Sequence, residues 1–141
     1  MEIRDAVEAD ADEIAAIADS PTDVMRNLVH DRTVRVAERD GTTTDPNADT
    51  DRTDGELLGF VSFDAKQQTV HVTQLDGTAE ACRKLLGEPI RFAEREGMAV
   101  ELLAPDSEPV VATAAEELGF DAAGRGPTFN GTGTVRYRLE T

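Results

Sequence analysis

The stretch from Thr69 to Leu86, TVHVTQLDGTAEACRKLL, constrains the fold of this chain more than any other part of it. Val70 and Val72 alternate with His71 and Thr73, the period-two pattern of a half-buried strand. Behind Gly77 and Thr78, Ala79, Cys82, Leu85 and Leu86 recur at helical spacing. A strand that passes through a short glycine-bearing turn into a helix leaves the first helical amides without intrahelical acceptors, and they point at whatever occupies the turn. The helix dipole favours an anion there, so the junction is a place to hold a phosphate. The same junction is common scaffolding in α/β domains, so alone it does not separate a binding site from plain architecture.

The flanking sequence supplies the context. A length of 141 residues suits one domain, residues 1–141. Glu2 to Ala6 reads as a short strand and Asp10 to Asp19 as a helix with an apolar stripe of Ile14, Ala15 and Ile17. Thr22 to Asp31 reads as a second helix, and Thr33 to Arg39 and Gly55 to Ala65 as strands. Between those strands, GTTTDPNADTDRTD at 41–54 has no apolar residue beyond Ala48 and is expected to be a mobile acidic loop. After the central strand and helix come a strand at Met98 to Leu103, a helix at Glu108 to Leu118, and a last strand at Val135 to Leu139. A further short strand is an option at Phe120 to Ala123. Pro89 should kink or interrupt the long helix near Gly87. Crossover helices between strands favour a mixed α/β (α+β) sheet with helices on both faces.

Charge and cysteine content narrow the chemistry. The chain carries 29 Asp and Glu against 14 Lys and Arg, a net charge of −15, so no basic stripe exists to displace counterions from nucleic acid. Lys66 and Lys84 are its only lysines. Acid surplus, scarce lysine, abundant alanine and few aromatics resemble proteins of salt-accumulating, haloarchaeal cells, where a Debye length of about 3 Å screens the self-repulsion. An acidic start and the absence of a long apolar run lead to the expectation of a cytoplasmic protein with no membrane partner. Cys82 is the single cysteine, and His30 and His71 are the only histidines, so neither an internal disulfide nor a zinc site is expected.

Several segments in order resemble the GNAT superfamily of acyl-CoA-dependent N-acetyltransferases. MEIRDAVEADADEIAAIA is similar to the family's opening, TVRVAERDG with GELLGFVSF to its pair of central strands, and AAEELGF (Ala114 to Phe120) to its penultimate helix. With Thr69 to Leu86 between them, the resemblance spans nearly the whole chain. It implies a mixed, mostly antiparallel central sheet with helices on both faces. It also implies acetyl-CoA as co-substrate, lying in a cleft where the strands near Val72 and Met98 splay apart, and an amine acceptor that attacks the thioester. Backbone near Val72 would hold the pantetheine arm, and the following turn the pyrophosphate.

Two registers compete for that turn. Gln74, Gly77 and Ala79 fit the family's pattern of Gln or Arg, two residues, Gly, one residue, then Gly or Ala, with Thr78 between them. Counting back from Leu85 and Leu86 instead places the key positions at Gly77, Glu80 and Cys82. A Glu80 carboxylate about 4 Å from a phosphate charge would cost on the order of 4 kcal/mol at an effective dielectric of about 20. The helix dipole returns roughly 0.3–1 kcal/mol, so repulsion wins: either Glu80 points away, as the preferred Gln74 register allows, or CoA affinity is poor. Arg83 and Lys84 could neutralise a phosphate. Gly77→Asp is expected to obstruct the pyrophosphate while leaving the fold intact.

The resemblance also exposes departures. A tyrosine that many family members place to protonate the leaving thiolate is replaced by Ala115, on a helix expected to face the cleft, and a frequent asparagine early in that helix corresponds to Glu108. For the base that deprotonates the amine, His71, Glu101 and Asp64 are the candidates. Three functions follow: an N-acetyltransferase acting on an unidentified amine, a non-catalytic CoA-binding or ligand-binding domain on the same fold, or an acidic protein-interaction domain. Monomer and homodimer are both open.

Overall fold

The computed structural model describes residues 1–39, 56–128 and 131–141. The expected mobile loop at 41–54 lies outside the described residues. Among the latter, the chain runs β1 (Glu2–Asp5), a 3₁₀ turn (Glu8–Asp10), α1 (Ala11–Ala18), α2 (Thr22–Asp31), β2 (Thr33–Glu38) and β3 (Leu57–Lys66). It continues through β4 (Thr69–Gly77), α3 (Ala79–Glu96), β5 (Ala99–Pro105), α4 (Pro109–Glu117), β6 (Asp121–Arg125) and β7 (Thr134–Leu139). These strands form one sheet of seven in the order β1-β2-β3-β4-β5-β7-β6, antiparallel throughout except for the β4–β5 pair. The short strand expected near Phe120 exists as β6, an exposed edge.

Alternation along the strands sorts side chains into two cores. Val61, Phe63, Val70, Val72, Val100, Leu102 and Tyr137 bury against α3 and α4. Val34, Val36 and Phe60 bury against α1 and α2 on the other face. α1 and α2 cover mainly β2 and β3, so on that face the ends of β4, β5 and β7 carry polar residues instead. Edge strand β1 is fastened by Arg4, whose guanidinium donates to both Asp10 oxygens at 2.8 and 3.0 Å and to Glu38 at 3.2 Å. Burial alone would raise the Asp10 carboxyl, but hydrogen bonds from Arg4 and the Val7 amide outweigh it and hold the group below the usual carboxylate range.

α3 runs unbroken through Pro89, against the expectation of an interruption near Gly87. A helical proline costs about 3 kcal/mol through its lost donor and ring clash. Leu85 and Leu86 are both 0 % exposed, and burying each contributes roughly 1.5–3 kcal/mol, so packing on the sheet outweighs the local penalty. No helix among the described residues is long and apolar enough to cross a membrane.

Candidate active site

The cleft originates in one extra residue. β4 and β5 pair in parallel only from Thr69↔Ala99 to Val72↔Leu102. Beyond that rank β4 stays with β3 and β5 stays with β7, so the two diverge. On β4 the partners of Phe63 and Ser62 are Val72 and Gln74, which leaves Thr73 as a bulge, and a bulge bends and twists its strand. The Thr73 hydroxyl is held by the Ser62 carbonyl at 3.1 Å and by the Ser62 hydroxyl, which stabilises the bend. The V-shaped opening encloses about 610 Å³. Its walls are His71 to Asp76 on β4 and Glu101 to Leu103 on β5, its far side the start of α4 and the residues Pro127, Thr134 and Arg136.

The three candidate bases lie on one rank across the sheet, since Asp64 pairs with His71 and His71 with Glu101. His71 and Glu101 line the vertex of the cleft. Asp64 does not line it: that carboxylate is exposed and bound by Arg32 at 2.9 Å. Glu101 accepts from Arg138 at 2.5 Å, and Arg138 also binds Glu140. Of the two groups at the vertex, Glu101 is engaged by an arginine, and the His71 side chain has no side-chain hydrogen bond or ion pair among the described residues.

At the other end of β4 the turn is tighter than its sequence suggests. β4 continues in register to Gly77, opposite Gly59, and the single residue Thr78 caps α3: its hydroxyl accepts from the Ala81 amide at 3.1 Å and its carbonyl from Cys82 at 2.9 Å. Gly77 has φ +135°, and a Cβ built there would meet the Leu58 carbonyl at 2.4 Å and the Gly59 Cα at 2.5 Å. The expectation that Gly77→Asp leaves the fold intact is therefore corrected, because the position is closed by its neighbour strand before any ligand arrives. Gln74 lines the cleft, while Glu80 stands exposed in the first turn of α3. Arg83 is held by Glu117 at 3.3 Å, and Lys84 is exposed.

Pattern reading missed the mouth of the cleft. Asp76, at the end of β4, faces Glu108, at the start of α4, and burial together with the Glu108 charge and hydrogen bond pushes the Asp76 carboxyl up to about 6. The pair is 32 residues apart in sequence, so no spacing rule finds it. A carboxyl raised in the folded state contributes stability fully below its unfolded value near pH 4, and that stability is lost as pH rises through about 6. Asp76→Asn is thus expected to raise the melting temperature at pH 7, leave it nearly unchanged at pH 4, and flatten the profile between. Thermal unfolding at a series of pH values checks this; a lower melting point at pH 7 would refute the placement. Behind the pair, burial and then the same two carboxylates push the Cys82 thiol up to about 12. The buried neutral thiol is no nucleophile.

No protein-family model and no curated protein matches the sequence. Solved structures match in shape. A proposed GNAT-family acetyltransferase from Desulfovibrio desulfuricans aligns with TM-score 0.68 and 17% identity, covering 99% of this chain and 98% of that one. The ribosomal-protein-alanine N-acetyltransferase of Brucella melitensis aligns with TM-score 0.74 and 15% identity over 100% of both chains. A third, yncA of Salmonella typhimurium, a proposed acetyltransferase solved with its cofactor acetyl-CoA, aligns with TM-score 0.72 and 19% identity over 99% and 93%.

The fold is the GNAT fold.

On this GNAT fold, Ala115 lies one helical turn beyond Val111, which lines the cleft, but Ala115 itself is 0 % exposed inside the core and does not line it. The expectation that residue 115 faces the cleft is corrected: a tyrosine there would overpack the α4–sheet interface before it could donate a proton. The only tyrosine, Tyr137, is likewise buried and donates to Glu116 at 2.9 Å.

Proposed function

We propose that the chain transfers an acetyl group from acetyl-CoA to an amine in the β4–β5 cleft. The observation that carries this reading is the vertex itself: the parallel pair parts at Val72 and Leu102, with His71 and Glu101 as the last polar rank. The amine nitrogen attacks the thioester carbonyl, the nitrogen–carbon bond forms as the carbon–sulfur bond breaks, and the thiolate leaves. His71 takes the proton shed by the amine, and water supplies the proton that the thiolate regains. Holding the two reactants in one cleft supplies much of the rate.

Donor contacts fall to Val72 backbone and Gln74 along the arm and to the junction of Gly77, Thr78 and Ala79 at the pyrophosphate. Thr78 caps the Ala81 amide, which leaves the amides of Ala79 and Glu80 for an anion. Lys84 adds charge nearby, and Arg83 does so if it leaves Glu117. A second reading, a CoA-binding or ligand-binding domain without turnover, draws on the lack of a tyrosine among the described residues that line the cleft and on the Asp76–Glu108 carboxyls beside the proposed donor path. The acid-rich, lysine-poor composition supports a cytoplasm of molar salt as the working medium, so assays belong in molar potassium chloride. Equilibrium binding of acetyl-CoA there, paired with a thiol-release assay over an amine panel, is expected to show both binding and release. Binding without release on any amine favours the second reading, and no binding removes both.

A further inference from the structure

We infer that Arg136 anchors a carboxylate of the acceptor, which makes the substrate an amino acid or a short amino carboxylate. The inference rests on the transferase reading of the cleft for its account of what the ligand is, but not for the existence of the anion site.

Among the described residues, Arg136 is the one arginine or lysine that lines the cleft. Its nearest basic neighbours are both committed elsewhere. Arg125, on the adjacent strand β6, is taken by Asp106 at 2.8 Å, and Arg138, two residues along β7, is taken by Glu101 and Glu140. Arg136 makes no ion pair or side-chain hydrogen bond among the described residues, in a chain whose acids outnumber its bases by 29 to 14. Lys66, Lys84 and Arg95 likewise make no ion pair among the described residues, but only Arg136 of these four stands on the cleft wall, where its exposed guanidinium can receive an anion supplied from outside.

Position says which anion. Arg138 pairs with Glu101 on the rank of His71, and Arg136 pairs with Leu103, one pleat further toward the mouth. That is about 7 Å along the strand, a distance the flexible arginine stem spans toward a group a few bonds from the reacting nitrogen. Arg136, Leu103, Glu101 and His71 share the face opposite α3 and α4, as the burial of Val72, Leu102 and Tyr137 on the other face shows. The junction proposed for the donor's pyrophosphate is at the start of α3, which packs on that other face. Exposed Leu103 gives the hydrocarbon part of the ligand an apolar contact next to the guanidinium. An amine at the vertex and a carboxylate at Arg136 therefore describe one molecule.

The test compares wild type, Arg136→Gln and Arg136→Lys in molar potassium chloride. Thiol release is measured on amino acids and on their carboxamides, which differ only in the anion, and acetyl-CoA affinity is measured in parallel. Wild type should favour the carboxylates by about tenfold in kcat/KM, mostly through KM, and Arg136→Gln should erase the preference while acetyl-CoA binding stays within about twofold. Arg136→Lys should restore part of it. Equal use of both series, or loss confined to acetyl-CoA affinity, overturns the inference, the latter by assigning Arg136 to a donor phosphate. Should no acceptor release thiol, N-acetyl amino acids serve as anionic probes, with shifts of the Leu103 and Arg136 backbone amides as the readout. Shifts present in wild type and absent in Arg136→Gln uphold the anion site while the transferase reading falls; absent shifts in wild type remove the inference as well.

Discussion

Gly77→Asp should unfold the domain, or leave it so weakened that no ligand measurement is meaningful. At φ +135° an L-residue is strained by about 1–3 kcal/mol before any contact is counted. The added Cβ would then lie at 2.4 and 2.5 Å from backbone atoms of Leu58 and Gly59, and backbone cannot rotate away as a side-chain tip can. Relief requires β4 to part from β3 where Gly59 pairs with Gly77, beside the buried Leu75 and Ala81. Against a total stability of about 5–15 kcal/mol, a loss of about 4 kcal/mol or more is expected, read as a fall of many degrees in the melting temperature by circular dichroism. Gly97→Ala is the control. Its φ is +69° and nothing lies within 4 Å of a built Cβ, so it carries left-handed strain alone and should cost about 1 kcal/mol. If Gly77→Ala costs no more than Gly97→Ala, close strand packing is not the reason for glycine at 77.

His71→Gln should lower kcat/KM for acetyl transfer by about 10²-fold while leaving acetyl-CoA affinity unchanged. The imidazole is on the last polar rank before the strands part, and of the three carboxyl or imidazole groups on that rank it alone has no arginine partner among the described residues. A pH profile distinguishes a base from a structural contact. The rising limb of the wild-type pH profile should be absent from His71→Gln. Glu101→Gln, which releases Arg138, should keep it. If the limb survives in His71→Gln and disappears in Glu101→Gln, the roles of the two residues are exchanged.

Elements whose signal is local were legible in the chain. Alternation at Val70 and Val72 marks β4, the spacing of Cys82, Leu85 and Leu86 marks α3, and Ala114 to Phe120 marks the end of α4, because each pattern is repeated within a few residues of itself. Residue chemistry also singled out His71, Glu101 and Asp64, yet that type of reading cannot rank them. Register sorts them by position: it puts His71 and Glu101 at the vertex and leaves Asp64 with Arg32. What stayed hidden depends on partners distant in sequence. Thr73 becomes a bulge only against Ser62, Gly77 is closed only by Gly59, and Pro89 is tolerated only because the sheet buries the leucines before it. Asp76 meets Glu108, and Arg136 reaches the cleft, only once β4, β5 and β7 are laid side by side. Local propensity is set by neighbours a turn or a pleat away and is written in the chain. The opening of a cleft, the closing of a turn and the pairing of charges are set by which backbones pack together, and those are decided in three dimensions.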